Sequence, residues 1–228
     1  MKRYIPLYID VEGLKVVVFG GGSVGYRRAK LFLEGGARVV IASKDFSDEV
    51  IKLAENNSSL QLVRVDANVD SRVVEGLVRE ADMVVIAMND LKASRRVATI
   101  AMEMGKLVNN ATDAGMGNII VPFHAEVNGL HVAVTSLGKT GIAARRALEK
   151  IKAVLASDTE LLALYNAMSR IKVFMKKTIK EPKDRLKLYF EIEDDVEFKR
   201  LVEAGDVEGA YRRGVELIMK HASKGHHS

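Results

Sequence analysis

The chain has 228 residues, 48% hydrophobic and 29% charged, the balance of a folded protein with room for one ordinary domain and a smaller one. No apolar run approaches the roughly 18 residues of a membrane span, residues 1–6 hold no apolar stretch of signal-peptide length, and the absence of cysteine excludes disulfides and thiolate chemistry, which points to the cytoplasm. The formal charge of +5 favours an acidic partner, but aromatics make up only 6% and Lys/Arg alternate with Asp/Glu, so no nucleic-acid reading motif or stacking platform is evident.

The first 110 residues alternate short apolar runs with helical patterns. Strands are predicted at 14–19, 38–42, 61–65, 83–88 and 106–109, and helices near 23–34, 47–56, 70–80 and 91–104. Such alternation predicts an α/β fold with a Rossmann-type parallel sheet, and right-handed crossovers place a ligand crevice at the carboxyl ends of strands one and four. Asn89, just past the fourth strand, falls at that crevice.

The first strand runs straight into Gly20-x-Gly22-x-x-Gly25 and then a helix, the context that a dinucleotide fingerprint requires. Gly20 permits the tight turn, Gly22 admits a pyrophosphate close to the backbone, and Gly25 lets helix and strand pack. The helix start offers free N–H groups to phosphates. At the end of the second strand, where an acid usually binds the ribose, stand Ala42 or Ser43, with Lys44 and Asp45 beyond. Asp45 could reach the ribose or belong to the next turn, and Lys44 leaves room for a 2′-phosphate, so NAD is only mildly preferred over NADP.

The pattern changes after Asp113. Two strands, 118–123 and 130–136, are predicted around Asn128-Gly129, a hairpin signal. A helix from 140 to 155 follows, then an all-helical region from Asp158 with a break at Pro182 and a last helix over 206–222 capped by Asp206. His226 and His227 read as a tail. Gly138-Lys139-Thr140 suggests a P-loop, but Ala133 stands where that motif needs glycine. The turn at 136–141 remains either a helix cap or a carboxylate site. Asp113 either caps the next turn or serves as a general base. His124 and His131 flank the hairpin and, with no third ligand fixed by the sequence, make only a weak case for a metal site.

Three segments give the chain a resemblance to precorrin-2 dehydrogenases, the sirohydrochlorin-forming domain of siroheme synthases. They are Ile5-Pro6-Leu7-Tyr8 with Gly13 ahead of the glycine turn, residues 108–113 with 118–122, and residues 131–145. The resemblance implies a homodimer with an NAD-binding Rossmann domain (1–113), dimerisation strands and a substrate-cleft region (114–145), and a helical C-terminal domain (146–228). It implies oxidation of precorrin-2 to sirohydrochlorin with NAD+. Asp113 falls on the family's catalytic aspartate. Ser23, Val24, Lys44 and Asp45 fall on its nucleotide contacts, and Ser136 on a serine near its tetrapyrrole cleft. Lys139 and Arg145 are candidates to meet the substrate carboxylates. Residues 114–117, Leu137 and Lys139-Thr140 depart from the usual pattern, all on the substrate side. Sirohydrochlorin ferrochelatase activity and a non-catalytic tetrapyrrole carrier or regulator remain alternatives.

Overall fold

The computed structural model describes residues 3–225, with side chains to Ser223, so His226 and His227 lie outside the described residues. The chain packs as two units, one comprising the residues up to Pro122 together with Thr135–Gly141, the other Phe123–Val134 with the residues from Ile142 onward.

The first unit opens with β1 (Lys15–Gly21), α1 (Ser23–Glu34), β2 (Arg38–Phe46), α2 (Asp48–Glu55) and β3 (Leu60–Arg64). It continues with α3 (Ser71–Glu80), β4 (Met83–Ile86), α4 (Leu91–Glu103) and β5 (Leu107–Asn110). All neighbouring strands pair in parallel, in the order β3-β2-β1-β4-β5. Continuous apolar runs form the central strands because both of their faces are covered. Val17, Phe19, Val84, Ile86 and Val108 pack with Val74, Val78, Val97 and Ala101 on the α3–α4 side. Val16, Val18, Ile41 and Val85 pack with Ala29, Phe32 and Val50 on the α1–α2 side. The strand order reverses between β1 and β4, so their carboxyl ends part and leave a crevice, as the alternation predicts.

One predicted strand is corrected. Residues 118–122 form no strand; Asn118 and Ile119 both donate their N–H to the Val108 carbonyl oxygen (2.9 and 3.1 Å), while Ile119 and Val121 pack on the α1 side of the sheet. Pro122 has no N–H to extend a ladder. The short 3₁₀ turn Ala114–Met116 precedes this segment.

In the second unit β6 (Phe123–Val127) and β7 (Leu130–Val134) pair antiparallel, Val127 opposite Leu130. Asn128 (φ 52°) and Gly129 (φ 81°) form the connecting turn, as two-residue hairpins demand. The helices are α5 (Gly141–Ser157), α6 (Thr159–Thr178), α7 (Pro182–Asp194), α8 (Val196–Glu203) and α9 (Val207–Gly225). Pro182 sits at the start of α7, where its missing N–H costs nothing. Asp206 caps α9 by accepting the Gly209 N–H at 2.8 Å. Ile171, Ile192, Phe198, Val202 and Ile218 fill the helical core. The sequence pattern shows no separate α8, because Asp195 alone divides it from α7.

Candidate active site

The crevice is a cleft of about 330 Å³ whose lining includes the glycine turn, residues 42–45, residues 65–68 and residues 87–90. Gly20, Gly22, Ser23, Val24, Lys44, Asp45 and Asn89 all line it, so the fold brings seven of the eight cofactor-binding candidates to one surface. Gly25 lies beneath, buried.

Local sterics explain the glycines. Gly20 adopts φ 119°, and a Cβ there would strike the Ala87 carbonyl, closing β1 against the end of β4. A Cβ on Gly25 would overlap the Gly20 carbonyl oxygen. Gly22 differs, because a Cβ there meets no protein atom within 4 Å and would project into open space. It is the N-cap of α1, whose first intrahelical bond runs from the Tyr26 N–H to the Gly22 oxygen (2.9 Å). The N–H groups of Ser23 and Val24 precede that bond and are available to an anion. A bare glycine cradle, free amides and a helix N-terminus fit the pyrophosphate of a dinucleotide.

The second strand runs further than its apolar pattern, to Phe46. Phe19 pairs with Ala42, but Gly21 pairs with Phe46, so residues 43–45 bulge beside the cleft. Ser43 therefore stands first past the regular ladder, with no carboxylate at that position. The Lys44 Nζ lies 2.8 Å from Asp66 Oδ2, while the Asp45 side chain is largely exposed and stands 3.7 Å from Arg64. Hydrogen bonding to Asp66 raises the Lys44 pKa, and the same bond holds the Asp66 carboxyl below its ordinary range. Asn68 Nδ2 donates to Asp90 Oδ2 at 2.7 Å, which lowers the Asp90 pKa. The other oxygen of Asp90 caps α4 by accepting from the Lys92 and Ala93 N–H groups. Sequence reasoning missed Asp66 and Asn68. They follow the apolar run of the third strand as Ser43 and Lys44 follow that of the second, and that shared position beyond an apolar run is the signal.

Asp113 does not line the cleft. It is exposed past β5, where its Oδ1 accepts the Gly115 N–H at 2.9 Å, the capping geometry weighed above. Its turn is built on Asn110, a 3% exposed side chain whose Oδ1 accepts the N–H groups of Thr112 (3.0 Å) and Asp113 (2.9 Å). Thr112 Oγ1 donates to the Met88 carbonyl oxygen at 2.8 Å, which ties this turn to the cleft wall.

The 136–141 turn is packed beside it, since a Cβ on Gly138 would stand 3.1 Å from Ala114 Cβ. Ser136 Oγ accepts the Thr140 N–H at 2.8 Å, and Leu137 holds a positive φ of 55°. Lys139 is exposed in this turn, and Arg145 is exposed on α5 in the second unit. Among the described residues no group of three or more His, Asp or Glu is placed to hold a metal ion, and no helix is long and apolar enough to cross a membrane.

A family model described as "Putative NAD(P)-binding" matches residues 7–123, just over half of the chain. A protein of Methanocaldococcus jannaschii named "Putative precorrin-2 dehydrogenase" is 34% identical over 204 residues, covering 87% of this chain and 96% of its own length. The "Precorrin-2 dehydrogenase" of Methanosarcina barkeri is 25% identical over 193 residues, 84% of this chain and 83% of the relative. The "Siroheme synthase" of Psychromonas ingrahamii is 28% identical over 170 residues, which cover 75% of this chain but only 34% of that longer protein. The solved structure "SirC, precorrin-2 dehydrogenase" shares the fold, with a TM-score of 0.69 at 23% identity over 95% of this chain and all of that one. With an NAD(P)-binding domain over residues 7–123 and similarity that runs on through the helical region, the chain belongs to the precorrin-2 dehydrogenase family.

Proposed function

We propose that this chain oxidises precorrin-2 to sirohydrochlorin in siroheme synthesis, with NAD+ as the acceptor. The observation that carries this reading is the Thr112–Met88 hydrogen bond of 2.8 Å, which fastens the Asp113 turn to the wall of a dinucleotide cleft. Gly22 and the N–H groups of Ser23 and Val24 would hold the pyrophosphate, and residues 43–45 and Asn89 would flank the remainder of the dinucleotide. When bound, NAD+ supplies the hydride acceptor. Oxidation removes two electrons and two protons from the macrocycle; one proton leaves with the hydride, and Asp113 accepts the other. Ser136 and Lys139 meet the substrate carboxylates, and the fixed Asn110 turn orients the base.

The working form is a cytoplasmic homodimer. Ile5, Leu7 and Tyr8 are each at least 70% exposed, an apolar run that a second copy would cover. Residues 135–141 of the first unit supply part of the substrate cleft, and the β6–β7 hairpin of the second supplies dimer contacts.

The test is turnover and binding of the purified protein and its Asp113→Ala variant. The proposal predicts NAD+-dependent oxidation by the wild type and a loss of about 10²–10⁴-fold in the variant, with dinucleotide affinity retained. Full activity in the variant overturns the role of Asp113, and dinucleotide and tetrapyrrole binding without oxidation overturns the activity in favour of a carrier.

A further inference from the structure

We propose that Asp66 is a specificity-determining residue, which by engaging Lys44 makes the cleft select a dinucleotide with a free 2′-hydroxyl over one carrying a 2′-phosphate. The proposal rests on the reading of this cleft as the dinucleotide site.

In dinucleotide-binding domains an acid at the end of the second strand meets the ribose hydroxyls and repels a 2′-phosphate, whereas a nearby cation accepts that phosphate. Here the first position past the regular β1–β2 ladder is Ser43, and the next is Lys44. Taken alone, that pair would favour the phosphorylated cofactor.

The β3–α3 loop reverses this. Asp66 leaves the end of the neighbouring strand and places Oδ2 at 2.8 Å from Lys44 Nζ. Asp45 and Asp90 line the same cleft and favour the charged ammonium at longer range, Asp45 standing 3.7 Å from Arg64. A 2′-phosphate would have to displace Asp66 from Lys44 and then stand beside the freed carboxylate.

An exposed ion pair is ordinarily weak because two long side chains must be ordered. The acidic partner here is already ordered. Asp66 Oδ1 accepts the Asn68 N–H at 2.9 Å, and the Asp66 N–H donates to Asp70 Oδ2 at 2.8 Å. Asn68 is itself held, its carbonyl accepting from Arg96 at 2.9 Å and its amide donating to Asp90. The Asp66 side chain is 30% exposed and that of Lys44 58%, so the lysine is the mobile member and the carboxylate the fixed one. The loop thus decides what Lys44 can do.

Calorimetric titration of the full chain with NAD+ and with NADP+ tests this directly, the readout being the ratio of the two affinities. The wild type is expected to favour NAD+. Asp66→Asn frees Lys44 and is expected to move the ratio toward NADP+ by about tenfold or more, the scale of removing one partly screened charge contact. Adding Lys44→Met to that variant abolishes the gain. Lys44→Met alone leaves Asp66 without its cation and moves the ratio further toward NAD+, an arm that does not depend on the Asp66 variant folding. An unchanged ratio in Asp66→Asn with NAD+ still bound overturns the proposal, as does a gain that survives loss of Lys44. A wild type that binds neither dinucleotide overturns the reading of the cleft itself.

Discussion

The carbonyl oxygen of Gly20 occupies the space that a Cβ on Gly25 would need. Strand end and helix start are thereby in backbone contact, and the whole glycine turn depends on that approach. Gly22, between them in sequence, has no such neighbour. The two glycines therefore predict opposite phenotypes. Gly25→Ala forces backbone displacement and costs about 2–4 kcal/mol of stability. Gly22→Ala, at a φ of −91° that alanine accepts, costs at most about 1 kcal/mol but weakens dinucleotide binding by filling the cradle. Thermal unfolding and dinucleotide titration of both variants separate the cases. Equal stability loss in the two would contradict this assignment.

On the role proposed for Asp113, Asn110 is its positioning residue. Replacing it with alanine leaves the N–H groups of Thr112 and Asp113 without their buried acceptor and unties the turn. Turnover is expected to fall by about 10²-fold, the scale of a misplaced reacting group, while dinucleotide affinity is held. Asn110→Ser would restore little, because the shorter side chain cannot span both N–H groups. A fall in dinucleotide affinity equal to the fall in turnover would make Asn110 a merely structural residue.

Acid should weaken the helical unit in part through Asp195. This residue caps α8 by accepting the Phe198 N–H at 2.9 Å, and it receives two hydrogen bonds from Arg213 at 2.9 and 2.8 Å. The Arg213 bonds hold its carboxyl below the ordinary range, against the opposing effect of desolvation. A carboxyl with a depressed folded-state pKa stabilises the fold above its unfolded value of about 3.9, and that contribution is lost as pH falls through the lower, folded value. Asp195→Ala is expected to cost about 2 kcal/mol near neutrality from the cap and the paired charge together. Asp195→Asn keeps the cap, loses less, and flattens the acid limb of a stability–pH curve. An unaltered acid limb in Asp195→Asn would rule out this source of acid sensitivity.

The first 110 residues were legible because strand and helix periods alternate cleanly there and the apolar runs of the central strands are buried on both faces. Residues 118–122 misled for the same reason. Ile119, Ile120 and Val121 have a strand's composition, but the segment is anchored by the Asn118 and Ile119 N–H groups on the Val108 carbonyl and forms no ladder. The α7–α8 boundary was hidden because one aspartate both ends one helix and caps the next. Within the cleft, the glycine turn and Asn89 could be placed from sequence, since their positions follow from single strand ends. Asp66 was missed because, although its position past an apolar run is legible, its closeness to Lys44 exists only once β3 lies beside β2.

The central claim is tested most directly by mixing the purified protein anaerobically with precorrin-2 and NAD+ and following NADH and tetrapyrrole absorbance together. The account predicts one NADH for each sirohydrochlorin formed, with no product when NAD+ is omitted. Addition of Fe2+ or Co2+ after completion reports separately on chelation. Sirohydrochlorin formed without NADH, or no oxidation with both ligands bound, would contradict it.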